Sequence, residues 1–306
     1  CATAAELEGV SGKFFDSRGQ PMPDCKLARN EKLAQELWER SCLWTGCDQS
    51  KSSLAQDYYD PNEGIWGVYS LDIDAAEMAD ITQNIFEQVL PKVPNKFLLL
   101  NLAKFLFRLE FGSLILLLIQ YGKRQFHMER HLDAAAVQKL CKDPALLQQL
   151  KAHLGEDLLL WRSELWANYP SQQLIPFWHQ DIYPKLLKGN GKSLNVYIAL
   201  TEINEFNGFE YIPNDHLPDR CRDIIDPFSG NHFFNLTNEV ERNAIPVVLR
   251  PGEFVIFDEH LVHRSIRNTS GKVRLSLTLR VTQSGMQILP GYTPTDQPPV
   301  WLSRTI

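Results

Sequence analysis

The sequence predicts a mainly β protein with flanking helices, and two observations carry that expectation. From Leu158 onward, short β-type runs follow one another between turns rich in Gly, Pro and Asn, the pattern of a sandwich or barrel. Ahead of them, from about Asp74 to Gly155, apolar residues recur at helical spacing.

Composition narrows the class. A chain of 306 residues, 44% hydrophobic and 22% charged, suffices for one large globular domain or a domain with an appendage. The formal charge of −6 argues against a nucleic-acid surface, which needs a basic face to replace counterions. Six scattered cysteines without a CxxC point to a reducing compartment rather than a disulfide scaffold. No stretch at the start combines basic residues, an apolar run and a small-residue cleavage site, so a cytoplasmic location is expected, although the chain begins at Cys1.

Residues 1–47 read as a small appended unit: the apolar segment Gly9–Phe15, turn residues, then a helix from Asn30 to about Leu43 with Leu33, Leu37, Trp38 and Cys42 on one face. Residues 48–73, turn-rich around Asp60-Pro61-Asn62-Glu63-Gly64, are expected to be a linker or loop. The main domain then runs over 74–306. Its helical part comprises Ala75–Val89, the apolar stretch Phe97–Ile119 and Ala134–Leu154. Lys104, Arg108 and Glu110 interrupt the apolar stretch, leaving an unbroken run of about ten residues, too short for a membrane span. A buried helix and strand are expected there, with a membrane-contacting surface as the alternative. The expected strands are Leu194–Leu200, Phe209–Ile212, Ile245–Leu249, Glu253–Phe257, Leu261–Ile266 and Val273–Val281. The tail Gly291–Ile306, rich in Pro and Thr, is expected to run over the surface.

The chemistry concentrates in four residues. In an extended segment alternate side chains share a face, so His179 and Asp181 present an imidazole and a carboxylate to one point while Gln180 faces away. His263, on a later strand, supplies a third ligand. Two histidines and one carboxylate leave three positions open on an octahedral ion, which suits non-haem Fe(II), whereas zinc prefers a nearly closed tetrahedral site. A His-x-Asp pair alone is as readily satisfied by a hydrogen bond as by a metal. Arg274, eleven residues beyond His263 across an expected hairpin turn Asn268-Thr269-Ser270-Gly271, changes the reading. Its planar fork can return toward the metal mouth and grip a carboxylate as Lys cannot.

Other histidines read as structural. His216 sits in a turn, His260 points to the face opposite His263, and His127 and His131 share a helix face without a third ligand. Trp178 reads as a packing residue beside the site.

Two resemblances extend these readings. Cys1-Ala2, Glu6–Phe15 and Glu36-Leu37-Trp38-Glu39 are similar to the C-terminal tail of short-chain dehydrogenases of the retinol dehydrogenase type. The nucleotide-binding GxxxGxG and the Tyr-x-x-x-Lys of that family are absent, so no dehydrogenase activity follows. The likeness implies a chain cut or descended from a longer fusion, or a dehydrogenase partner.

The second covers roughly Met128 to Val281. The blocks Trp178-His179-Gln180-Asp181, Asn207–His216, Arg250–Asp258, Leu261–Ser265 and Val273–Arg280 resemble the phytanoyl-CoA dioxygenase family of Fe(II)/2-oxoglutarate oxygenases. The resemblance implies a double-stranded β-helix (jelly-roll, cupin-like) core over about 158–281, with iron bound by His179, Asp181 and His263. Arg274 would take the distal carboxylate of 2-oxoglutarate, and Ser265 and Tyr197 sit where the family has further co-substrate contacts. Asn168 departs from the family, which often carries a lysine there. Asp181 disfavours a halogenase, since related halogenases have Gly or Ala at that place.

The implied activity is hydroxylation, desaturation or cyclisation at an unactivated C–H bond of a small, lipophilic molecule, with Fe(II), 2-oxoglutarate and O₂ as the cofactor set. The competing class is a non-catalytic jelly-roll binding module with a vestigial site, and a zinc hydrolase is a more distant alternative.

Overall fold

The computed structural model describes residues 64–90, 96–112, 114–115, 127–170, 177–217, 223–225, 232–289 and 295–305, with the backbone of two short strands nearer the start. The chain divides into two compact units, Cys1–Leu54 and Ala55–Ile306. In the first, β1 (Phe14–Phe15) pairs antiparallel with β2 (Pro21–Met22). The helix expected over 30–43 lies outside the described residues.

The second unit begins on β3 (Ile65–Ser70), inside the stretch expected as a linker. This strand pairs with a core strand at a sheet edge, because Ile65 and Val68 supply an apolar face. Helices follow: α1 (Ala75–Asn84), which widens into a π-helical turn over Ile85–Val89, then α2 (Lys96–Phe107), α3 (Ala135–Cys141) and α4 (Pro144–Leu154). Asp74 caps α1, accepting from the Glu77 N–H at 2.9 Å.

The helical stretch expected over 134–154 is two helices, because Pro144 has no N–H to continue a helix and instead starts one. Asp143 caps that start, accepting from Leu146 N at 3.0 Å and from Asp72 N at 2.9 Å. Leu146, Leu150 and Leu154 then line one buried face, each contributing roughly 1.5–3 kcal/mol.

The apolar stretch from Phe97 departs from its expected burial. Only Leu98, Asn101 and Phe105 of α2 are buried, whereas Leu100 and Phe107 are 64% and 91% exposed. Apolar residues surround this helix on every side, and it packs along one narrow face on Met128, so most of them cannot be covered. Among the described residues no helix is long and apolar enough to cross a membrane.

The strands are β4 (Leu158–Asn168), β5 (Trp178–His179), β6 (Leu187–Lys188), β7 (Ser193–Ala199), β8 (Phe209–Ile212), β9 (Asp223–Ile225), β10 (His232–Phe234), β11 (Ile245–Pro246), β12 (Glu253–Asp258), β13 (Val262–Ser265), β14 (Arg274–Gln283), β15 (Gln287–Ile288) and β16 (Val300–Ser303), with a short α5 (Asn238–Glu241) between β10 and β11. Among the described residues these strands and β3 form two six-stranded antiparallel sheets, ordered β16-β4-β14-β7-β12-β3 and β11-β8-β13-β5-β10-β9, and a small pair of β6 with β15. The chain alternates between them: β4 to β5, β7 to β8, β12 to β13, then β14. That alternation is a double-stranded β-helix.

Two expectations about connections change. The turn at 268–271 is no hairpin, since β13 and β14 belong to different sheets and the turn carries the chain across. Asn268 closes it, donating to the backbone oxygens of Asn168 and Lys272, both at 2.7 Å. The tail is not simply surface: β16 adds to the free edge of β4, where backbone groups would otherwise go unpaired. The Pro251-Gly252 turn before β12 is a type II turn, with Gly252 at φ +86° and Glu253 N bonded to Arg250 O at 3.0 Å.

The first sheet has two unlike faces. Leu275, Leu277, Leu279 and Val281 of β14 pack outward with α1, α3 and α4. Arg274, Ser276, Thr278, Arg280 and Thr282 point the other way, between the sheets, and are all buried. On β4 a bulge at Trp161 shifts the register, with Arg280 opposite Arg162 and Val281 opposite Leu160. The extra residue reverses the facing of the strand, so Leu158 and Leu160 face the helices while Arg162 and Glu164 face inward. A polar lining in an otherwise apolar interior requires partners for every charge, and those partners form the site.

Candidate metal centre

His179 and His263 are directly opposed across β5 and β13, with ring centroids 4.4 Å apart. Asp181 follows β5 and is fixed by its N–H, which donates to Glu259 O at 3.0 Å. His263 Nε2 lies 3.6 Å from Asp181 Oδ2, and His179 Nε2 lies 4.0 Å from Oδ1. One ligand atom from each residue falls within 4.8 Å of the others, and among the described residues no other His, Cys, Asp and Glu group gathers so. The three sequence-predicted ligands are therefore brought together.

Both imidazoles are held by the same device. His179 Nδ1 is 2.9 Å from Phe177 O, and His263 Nδ1 is 2.9 Å from Leu261 O, in each case the carbonyl two residues earlier. A carbonyl only accepts, so Nδ1 carries the proton and Nε2 offers its lone pair to the shared point. Burial, aided by the neighbouring His179, pushes the His263 imidazole down to about 4, so it is neutral at physiological pH. Burial alone would raise the Asp181 carboxyl, but the Arg280 guanidinium and the two histidines hold it well below the usual carboxylate range. Two imidazoles and one carboxylate with ligand atoms gathered within 4.8 Å of one another form a donor set for a divalent metal.

Arg280 is the residue that sequence reasoning did not assign. It lies 2.8 Å from Asp181 Oδ2 and 3.2 Å from Oδ1. The same guanidinium reaches Glu164 at 2.9 Å and Asn195 at 2.7 Å. Arg162, 3.1 Å from Glu164, completes a buried cluster of two cations and two anions. The sequence signal was present: in Arg274-x-Ser276-x-Thr278-x-Arg280, polar residues recur at the strand period on what is otherwise a leucine-rich strand. Tyr183 covers the cluster, its ring 4.7 Å from the Arg280 guanidinium and its hydroxyl donating to Asp181 Oδ1 at 3.3 Å. Burial raises that phenol, which stays protonated.

Arg274 lies at the other end of the polar face, opposite Asn168 in register. It is 4% exposed, donates to the Tyr197 hydroxyl, and has no carboxylate partner among the described residues. Arg274 Nε, Asn168 Oδ1 and Ser276 Oγ are buried without hydrogen-bond partners among the described residues. Tyr197 packs on Phe209 at 4.6 Å between ring centroids, and Phe209 meets His263 edge-on at 5.9 Å, which links Arg274 to the triad through one shared interior. Ser265, on the same face of β13 as His263, sits opposite Phe209.

The remaining histidines take structural places. His131 is buried, bonded to Ser163 Oγ at 2.8 Å, His260 pairs with Asp258 at 2.7 Å on the exposed side, and His216 lies in a short 3₁₀ turn. Trp178 is buried, its Nε1 donating to Glu241 at 3.0 Å.

Two uncharacterised proteins, of Mycobacterium bovis and Mycobacterium tuberculosis, are each 32% identical over 106 residues. The matched segment is 35% of this chain and 34% of each relative, so the chain matches about a third of the length of these curated relatives. Among solved structures, the apo form of the non-haem monooxygenase ThoJ is similar at a TM-score of 0.52 and 18% identity, covering 80% of this chain and 82% of that one. The epimerase SnoN, in complex with Fe³⁺, alpha-ketoglutarate and nogalamycin RO, gives 0.52 at 16%, covering 80% and 88%. CytC3 with Fe(II) and alpha-ketoglutarate gives 0.50 at 20%, covering 76% and 80%. At these identities the likeness concerns the fold. The family model for phytanoyl-CoA dioxygenase matches residues 120–276, which include the inward-facing half of β4, the His179/Asp181/His263 triad and Arg274, and the chain belongs to the phytanoyl-CoA dioxygenase family.

Proposed function

We propose that the protein is an Fe(II)- and 2-oxoglutarate-dependent oxygenase that hydroxylates, desaturates or cyclises a small molecule at an unactivated C–H bond. The observation that carries the reading is Arg274, a buried cation with no carboxylate partner among the described residues, sharing one interior with a two-histidine, one-carboxylate triad. An unpaired buried guanidinium is costly, and a dicarboxylate whose far end reached it would relieve that cost.

His179, Asp181 and His263 would hold the iron through Nε2, one carboxylate oxygen and Nε2. Bound there with 2-oxoglutarate and O₂, the iron supplies oxidative decarboxylation to succinate and CO₂ and the oxidation of a C–H bond. Arg274, with Tyr197 bonded to it and Asn168 opposite, orients the oxoacid. The orphaned Asn168 Oδ1 and Ser276 Oγ give that pocket further polar contacts in place of a lysine. Phe233, its ring centroid 5.9 Å from that of His179, and the exposed Phe177 give the open side of the triad an apolar surface suited to a lipophilic substrate.

The test is anaerobic addition of Fe(II) and 2-oxoglutarate to metal-free protein, followed by visible absorption. A weak charge-transfer band that is lost in Arg274→Ala is expected. Iron binding without the band would point to another metal chemistry, and no iron binding to a non-catalytic module.

A further inference from the structure

We propose that Arg280 is a positioning residue that makes Asp181 a one-oxygen ligand, presenting Oδ2 alone to the metal. The inference rests on the reading of His179, Asp181 and His263 as a metal site.

The argument is an account of hydrogens and lone pairs. The two terminal nitrogens of a guanidinium carry four N–H groups. In Arg280, Nη1 donates to Asn195 Oδ1 and lies 2.8 Å from Asp181 Oδ2 in an ion-pair contact, and Nη2 donates to Asp181 Oδ1 and Glu164 Oε2. Both terminal nitrogens are thus engaged, so the fork cannot turn without breaking the hydrogen bonds to Asn195, Glu164 and Asp181 together. On the carboxylate, each oxygen has two in-plane lone pairs. Those of Oδ1 are taken by Arg280 and by the Tyr183 hydroxyl. Among the described residues Oδ2 accepts no hydrogen bond and meets only the Arg280 charge at 2.8 Å; it lies 3.6 Å from His263 Nε2, whereas Oδ1, 4.0 Å from His179 Nε2, has both lone pairs taken.

Denticity decides how many positions an octahedral ion has left. A one-oxygen Asp181 with two imidazoles leaves three, whereas a two-oxygen carboxylate would leave two. A chelating oxoacid fills two, so only the one-oxygen geometry leaves a further position. The hold is also independent of the metal, because Arg162 and Arg280 balance Glu164 and Asp181 within one buried cluster. The carboxylate is thus ionised, neutralised and aimed before any ion arrives, which spares reorganisation on binding.

The test is Co(II) loading of the metal-free full chain, reading affinity by competition and geometry by the visible d–d bands, in wild type, Arg280→Lys and Asn195→Ala. Lysine keeps the charge but offers no fork, so Asp181 is released to bind through both oxygens or to turn away. The expected result for folded Arg280→Lys is a 10- to 100-fold loss of Co(II) affinity, the usual range for outer-shell partners, with shifted bands. A merely structural Arg280 would lower the melting temperature and leave the bands as in wild type, and that result overturns the proposal. If Arg280→Lys does not fold, Asn195→Ala decides. It removes one support behind the guanidinium, and it is expected to weaken Co(II) binding with a band shift in the same direction; wild-type affinity and bands overturn the proposal. Wild type that fails to bind Co(II) removes the metal reading and this inference together, whereas wild type that binds beside unchanged variants removes the inference alone.

Discussion

The guanidinium of Arg264 lies 4.2 Å from the centre of the Trp178 ring, and these two residues are the sequence neighbours of His263 and His179. On a strand, neighbours face opposite ways, so the stacked pair lies on the reverse of the sheet from the two imidazoles. β5 and β13 share a single residue pair, His179 with His263, and the contact behind it holds that pair in register. Arg264 is tied in turn to Glu210 at 2.7 Å and to Glu241 at 3.2 Å.

Trp178→Ala is therefore expected to cost about 3–5 kcal/mol, the range for deleting a fully buried aromatic. Arg264→Met should cost about 1–3 kcal/mol by leaving the half-buried Glu210 carboxylate without its donor and Glu241 with the Trp178 indole alone. Urea unfolding of the metal-free protein measures both. A Trp178→Ala protein as stable as wild type would mean that β5 is held by other contacts.

Arg274→Met has an expectation of the opposite sign. The wild-type side chain is a buried cation with no carboxylate partner among the described residues, so an apolar side chain of similar length should stabilise the oxoacid-free protein by about 1 kcal/mol or more. The same change should abolish the rise in melting temperature that 2-oxoglutarate gives wild type in the presence of a divalent metal. Thermal denaturation with and without the oxoacid reads both effects. Lower stability of the empty variant would show that Arg274 already has its charge compensated.

His131 sets a pH dependence away from the metal centre. Burial holds its imidazole down to about 4, against an ordinary 6.5. The unfolded chain therefore takes up the proton more readily, and protonation favours unfolding. The contribution is fully present above about pH 6.5 and is lost as the pH falls toward 4. Between pH 7.5 and 5 the loss is on the order of 2 kcal/mol. Comparing urea unfolding of wild type and His131→Gln across that interval isolates it, because Gln does not titrate. Parallel pH profiles would contradict the expectation.

The legible parts of the sequence were those whose physics is local. The period of two in β14 and the Pro251-Gly252 turn follow from backbone sterics and side-chain alternation within a few residues. The helical spacing of α1, α3 and α4 was equally local, although the break at Pro144 shows that a proline inside a periodic run outranks the period. That His179, Asp181 and His263 would gather was legible because those residue types in that order are unusual together.

Tertiary structure decided what depends on which surfaces meet. The crossing of the 268–271 turn between sheets, the strands at 65–70 and 300–303 on sheet edges, and the exposure of α2 all turn on partners remote in sequence. The same is true of Arg280. Its place on the strand face could be read from the alternation, but its hold on Asp181, 99 residues away, exists only because the bulge at Trp161 turns Glu164 inward and β7 brings Asn195 alongside. The sequence determined which groups could serve as metal ligands and on which strand faces they lie, since ligand type and alternation are properties of the chain. The fold alone decided how they are oriented, because a buried charge takes its geometry from whichever counter-charges the packing delivers to it.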